Sequence, residues 1–245
     1  MIRRMLGALA FWLVVWEACY RAVGQDLLLA SPGQVANYLL HGVNVRFLQC
    51  VGMSLARTAA AYVLGVAIGA ALAVLAKCVP LLRALIQPML AVIRATPVAS
   101  FIILALIWFG SRNLSVFIAL VMVFPVIYSN TLQGIKSADG ALLEMARVYR
   151  VPFSRRLGYI YAPQVKPFLL SGCSVALGMS WKSGVAAEVI GVVGGSIGER
   201  LYEAKVYFQM TDLLAWTVVI VVCSVGFEKL VLWLLRRGFA AWEGR

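Results

Sequence analysis

Few residues in this chain are of a kind that performs covalent chemistry, and those few stand apart. The one histidine, His41, has no carboxylate or cysteine cluster beside it. The five cysteines, Cys19, Cys50, Cys78, Cys173 and Cys223, are odd in number and never neighbours, so neither a metal spacing nor a redox pair is present. Cys78 and Cys173 fall at or inside apolar segments, where cysteine acts as a small hydrophobe. No Gly-x-x-x-x-Gly-Lys-Ser/Thr loop occurs, so the chain carries no phosphate cradle. The residues therefore point to no catalytic group, no metal and no cofactor. A membrane-embedded enzyme would need clustered histidine, aspartate or metal ligands.

What remains is charge in unusual places. Arg94 and Glu188 lie inside apolar stretches. A charge at the bilayer centre costs at least ~2.5–3.5 kcal/mol, so such a side chain faces a cavity or a partner. Arg94, beside Pro97, can face an anionic solute, bond a carbonyl freed by the proline, or reach for the membrane surface. Glu188 ends a ladder of Gly172, Ala176, Ser180 and Gly184 at four-residue steps. Such a ladder either admits another helix closely or lines a solute path. Trp181 shares a helical face with Glu188. A ring of both from two subunits would form a gate near the outer side. The simpler alternatives are a packed aromatic and a carboxylate at the helix end.

A second charged feature is the segment 134–166. Leu142, Met145, Val148 and Tyr149 have the spacing of one apolar helical face. Pro152 ends that helix, Ser154 can cap a second, and a basic helix follows to about Tyr161. Glu144 sits among Arg147, Arg150 and Arg155. Two short surface helices of this kind make either a docking platform for a partner or an anchor on anionic lipid.

The elements that must position these residues follow from composition. Of 245 residues, 62% are hydrophobic and 13% charged, against about 45–50% and about 25% in soluble globular chains. That excludes a disordered chain, a secreted disulfide scaffold and an ordinary soluble enzyme. A spanning helix needs ~20 apolar residues, and six segments qualify: 5–23, 54–76, 85–109, 114–133, 167–190 and 212–235. An all-α integral membrane protein with a single transmembrane domain over 1–245 is expected. The third segment is interrupted at Arg94-Ala95-Thr96-Pro97, and broken backbone at that depth needs protein or a water cavity around it. The second carries Ala61, Gly65, Gly69 and Ala73 at four-residue intervals, the spacing of a close helix contact. Residues 191–211 read as a Gly-rich, then mixed-charge loop.

Six spans put both termini on one side. That side holds Arg3, Arg4, Lys77, Arg83, Lys136, Arg147, Arg150, Arg155, Arg156, Lys166, Arg236, Arg237 and Arg245. The other holds Arg21, Arg46, Arg112, Arg200 and Lys205. The bias makes both termini and the 134–166 loop cytoplasmic. It also accounts for the net charge of +12 without nucleic acid.

The 134–166 loop resembles the signature of permease subunits of binding-protein-dependent ABC importers: Glu-Ala-Ala, three residues, Gly, nine residues, Ile-x-Leu-Pro. Glu144, Met145 and Ala146 stand for the first block, Arg150 takes the glycine position, and Ile160, Ala162 and Pro163 match the end in spacing. The likeness covers nearly the whole chain. Ile93-Arg94-Ala95-Thr96-Pro97, Leu106-Ile107-Trp108-Phe109-Gly110, Ser180-Trp181-Lys182, Ala186-Ala187-Glu188 and Gly194-Gly195-Ser196-Ile197-Gly198 are similar to the nitrate, sulfonate and taurine class.

The resemblance implies the type I ABC importer permease fold and a place in the cytoplasmic membrane of a prokaryote. It implies a loop that docks on a separate ATPase, with two permeases, two ATPases, an external solute-binding protein and surrounding lipid. Nitrate, sulfonate, taurine, bicarbonate or vitamin precursors are the implied solutes. Arginine cannot enter left-handed backbone cheaply. Either the turn moves toward Pro152, or the helix around Arg150 continues. The competing function, an ion-driven secondary transporter, often shows inverted repeats and buried carboxylate relays, and neither is evident.

Overall fold

A computed structural model describes residues 2–243, with side chains described over 7–238. Arg245 and the side chains of Arg3 and Arg4, used in the charge count, lie outside the described residues. Every described element is helical: α1 Ile2–Val23, α2 Pro32–His41, α3 Val45–Cys78, α4 Pro80–Ala95, α5 Val98–Phe109, α6 Leu114–Lys136, α7 Gly140–Val148, α8 Phe153–Arg156, a π-helical turn Leu157–Tyr161, α9 Ala162–Ile190, α10 Ile197–Val206 and α11 Met210–Glu243. Three of these, α3, α6 and α11, are long and apolar enough to cross a membrane, and α4 with α5 makes a fourth if the bent pair is one span. α9 is long enough at 29 residues, but its glycines, serines, Lys182 and Glu188 keep its mean hydropathy low.

The centre is the trio α3, α6 and α9. In lipid no hydrophobic force selects a neighbour, so small residues that let backbones approach decide the contacts. The ladder Ala61, Gly65, Gly69 and Ala73 is buried on α3. A Cβ at Gly65 would stand 2.6 Å from Val123 Cγ1, and one at Gly69 3.0 Å from Ile127 Cβ. Both partners advance together along the chain, so α3 and α6 run parallel. The second ladder meets α6 and α3: a Cβ at Gly172 would lie 2.8 Å from Asn130 Cβ, and one at Gly184 3.2 Å from Thr58 Oγ1. Gly184 also meets Ala119 Cβ of α6 at 3.7 Å, so the α6 partners run in opposite order and α9 is antiparallel to α6, and hence to α3. The α9 ladder is a helix-packing seam.

The break expected in the third span at Arg94-Ala95-Thr96-Pro97 is present, and α4 and α5 meet there at 108°. Thr96 is extended (ψ 130), as a residue before proline prefers, and its Oγ1 donates to Val92 O at 2.8 Å. The 191–211 loop contains α10, capped by Ser196 Oγ accepting from Glu199 N at 3.0 Å. Between α1 and α3 lies α2, capped by Ser31 and Gln34 in reciprocal hydrogen bonds. Ser154 lies inside α8 and does not cap it; Pro152 holds the cap position.

Arg150 neither shifts the turn nor prolongs the helix. It takes left-handed backbone itself, with φ 53°. Val151 N donates to Ala146 O at 2.9 Å, the long bond of a Schellman cap. Val192 and Phe208 do the same after α9 and α10, with φ 46° and 54°. Left-handed backbone costs a non-glycine residue about 1 kcal/mol. Arg150→Gly should therefore stabilise the protein by about 1 kcal/mol, read as a rise of about 2–4 °C in the unfolding midpoint in detergent. An unchanged or lower midpoint would mean that the arginine side chain offsets the strain.

Candidate coupling surface and solute path

The segment between α6 and α9 is built as a protruding bracket. Asp139 caps α7, accepting from Ala141 N at 2.9 Å. Its own N–H donates to Gln164 Oε1 at 2.8 Å, tying the entry of the bracket to its exit. Arg156 Nε donates to Val151 O at 2.7 Å and closes the corner. From Phe153 the chain stays helical through the π turn into α9, so displacement of the bracket pulls directly on a core helix.

The expected apolar face of α7 exists and points away from the protein. Leu142, Met145, Val148 and Tyr149 are exposed, Val148 by 78%, whereas Ala146 is buried. Phe153 and Tyr159 extend the exposed surface. Glu144 and Arg150 are exposed as well, and Glu144 has no ion pair among the described residues. Ile160 is buried and Pro163 is exposed in the first turn of α9. The signature residues thus divide into inner anchors (Ala146, Ile160) and an exposed outer set (Glu144, Met145, Arg150).

At the opposite end Glu188 is 1% exposed and joins three helices. Ser54 Oγ on α3 donates to Glu188 Oε2 at 2.6 Å and accepts from Ile197 N at 3.0 Å. Gly198 N at the start of α10 points at the same carboxylate oxygen from 3.4 Å. The positive end of a helix favours an anion there. Arg57 Nη1 lies 3.7 Å from Oε1, and its Nη2 donates to Gly194 O at 3.3 Å. A Cβ on Gly198 would fall 2.3 Å from Glu188 Cβ, so only glycine lets α10 approach this closely.

Trp181 and Glu188 both turn inward within the protomer. Trp181 is 2% exposed and packs with Cys50, Val185, Ile197 and Trp216. Its Nε1 donates to Ile220 O of α11 at 3.2 Å. Arg94 leaves α4 just before the Thr96–Pro97 break and crosses to α6. It donates to Pro125 O at 3.1 Å and to Ser129 Oγ. It does not bond the carbonyl freed by Pro97. Pro97 is exposed and caps α5. His41, at the end of α2, lies 3.0 Å from Asn37 O through Nδ1.

Lys182, named in the sequence only within the Ser180-Trp181-Lys182 similarity and given no role there, is exposed in the last third of α9 on a face shared with Val175 and Met179. A lysine there cannot face hydrocarbon cheaply. Its position inside a span was the available signal.

The Glu188 joint yields a direct expectation. Glu188→Ala leaves Arg57 and the first N–H groups of α10 without their counter-charge, and should cost about 3–5 kcal/mol. Ser54→Ala should cost about 1–3 kcal/mol by removing one bond to the charged group. Unfolding midpoints in detergent would rank Glu188→Ala below Ser54→Ala below the parent. Equal midpoints would remove this joint from the framework.

Residues 61–237 match the family described as binding-protein-dependent transport system inner membrane component. A Bacillus subtilis protein named for aliphatic sulfonates transport, SsuC, is 29% identical over 78% of this chain and 69% of its own length. The taurine transport system permease protein TauC of Escherichia coli is 27% identical over 98% of this chain and 89% of its own. The bicarbonate transport system permease protein CmpB of Synechococcus elongatus is 25% identical over 75% and 66%. Among solved structures, the crystal structure of an amino acid ABC transporter with histidines superposes with a TM-score of 0.62 at 21% identity, covering 78% of this chain and 94% of that one, a likeness of fold. The chain therefore belongs to the inner membrane components, or permeases, of binding-protein-dependent ABC transport systems.

Proposed function

We propose that two copies of this chain form the solute path of an ABC importer and couple it to two copies of a separate ATPase. Each copy is one permease domain over 1–245, with both termini and the α7–α8 bracket cytoplasmic. The observation that carries this reading is the outward-facing apolar surface of α7 and α8 on a bracket rigidly continuous with α9. A docked helix of this kind transmits rigid-body rotation into the spans it joins. Glu144 and Arg150 meet the ATPase, while Met145 and the exposed aromatic residues fill its groove.

The α10 end meets the extracytoplasmic solute-binding protein. Arg94, Pro97 and Lys182 line the path. Trp181 and Glu188 keep its outer end shut by holding α3, α9, α10 and α11 together. The relatives named for sulfonate, taurine and bicarbonate, together with the excess of cations, support a small anionic solute; a vitamin precursor is the second candidate.

Glu144→Ala should leave membrane insertion intact and weaken ATPase association or coupling. Charge reversal should be worse, because Arg147, Arg150 and Arg155 would gain a like-charge neighbour. Uptake measured beside ATPase pull-down tests both variants. Full uptake with normal assembly in both would make the bracket a lipid anchor. Uptake that persists when the ATPase loses its catalytic glutamate would instead favour an ion-driven transporter.

The orientation has its own test. Ser196 is fully buried as the cap of α10, whereas Lys205 is exposed on the same helix. Lys205→Cys should react with a membrane-impermeant thiol reagent in intact cells. Reaction only after lysis would invert the topology.

A further inference from the structure

Between α4 and α6, at the end that carries the bracket, lies a cavity of about 360 Å³. Arg83, Arg94 and Lys136 line it, and no carboxylate does. None of the three has an ion pair among the described residues. Arg94 and Lys136 are exposed and Arg83 is half-buried, so three positive charges face one water-accessible cleft and favour an anion in it. Arg94 is held in place by Pro125 O and Ser129 Oγ, so its guanidinium is positioned while its charge stays unbalanced.

A second observation is independent of charge. Tyr128 forms part of the wall and is 2% exposed, yet its buried hydroxyl has no hydrogen-bond partner. A buried donor without an acceptor is costly and rare in folded proteins. An oxygen of a bound anion would satisfy it. Gln87 and Gln133 add amide groups to the wall, and Leu90 and Leu132 supply apolar surface for a short substituent. The volume is that of a small-molecule site.

Building on the reading as an importer of anionic solutes, we propose that this cavity is an oxyanion site on the inner half of the path. It takes a sulfonate- or carboxylate-bearing small solute between Arg83, Arg94 and Lys136, with Tyr128 donating to one of its oxygens. A phosphate headgroup of an anionic lipid offers the same chemistry, and the test separates the two.

Ala91 is exposed on the cavity wall. Ala91→Cys is made in a chain whose native cysteines are replaced, and the assembled complex with its ATPase is placed in nanodiscs. Its reaction with an anionic methanethiosulfonate ethylsulfonate reagent is compared with that of the cationic trimethylammonium analogue. The anionic reagent should react about tenfold faster. Methanesulfonate at constant ionic strength should slow the reaction saturably in pure phosphatidylcholine. Tyr128→Phe should weaken that protection about fivefold, and Lys136→Gln should weaken it and lower the preference for the anionic reagent.

Absent protection, or protection indifferent to both variants, overturns the site. Protection that appears only with phosphatidylglycerol, and that methanesulfonate does not alter, assigns the cavity to a lipid headgroup and overturns the solute site. ATP-driven anion uptake by the same preparations separates the two readings. Uptake with an unprotected cavity defeats this inference alone, whereas an assembled, ATP-hydrolysing complex that moves no anion defeats the proposed function.

Discussion

A helix in lipid has no hydrophobic reason to choose one neighbour over another, so the architecture depends on where two backbones can touch. α3 touches α6 at Gly65 and Gly69, and α9 touches α6 and α3 at Gly172 and Gly184. A methyl group at Gly65 would overlap Val123, and one at Gly172 would overlap Asn130. These contacts fix α3, α6 and α9 as one unit. Two unlike ends are then mounted on it: a polar joint at one and the bracket at the other.

The two ends use opposite physics. At the Glu188 end, a buried carboxylate gathers Ser54, Arg57 and the start of α10, so the charge is spent inside the protein. A network that binds three elements through one group is rigid, because loss of any member strands the others. At the bracket end, apolar side chains and an unpaired Glu144 are left facing outward. The first arrangement completes an interior, and the second leaves apolar side chains on the surface. α9 connects them without interruption from Ala162 to Ile190. A push on the bracket is therefore carried toward the joint along a single helix.

Much of this was legible in the residues. The small-residue ladders announced the core contacts, because a spacing of four places residues on one helical face. The apolar face of α7 followed from the same periodicity. Pro97 announced the break between α4 and α5, although not its 108° angle. Arg150 shows where residue preference misled. Its type argued against left-handed backbone, yet the cap after α7 needs that geometry and the arginine accepts it. α10 went unread because glycines and mixed charges hide a short helix whose stability comes from packing against α9 rather than from its own pattern.

The sequence by itself determined composition, the bias of positive charge and the identity of the signature, since each depends only on residue type and spacing along the chain. Only the tertiary structure decided what the buried charges meet. Glu188 and Ser54 are brought together across 134 positions of sequence, and Arg94 and Ser129 across 35. It also decided that Trp181 packs inward while Lys182, the next residue, looks out. Adjacent positions on a helix differ by about 100° around its axis. Which of those directions is interior depends on where the other helices lie, and periodicity within one helix does not supply that.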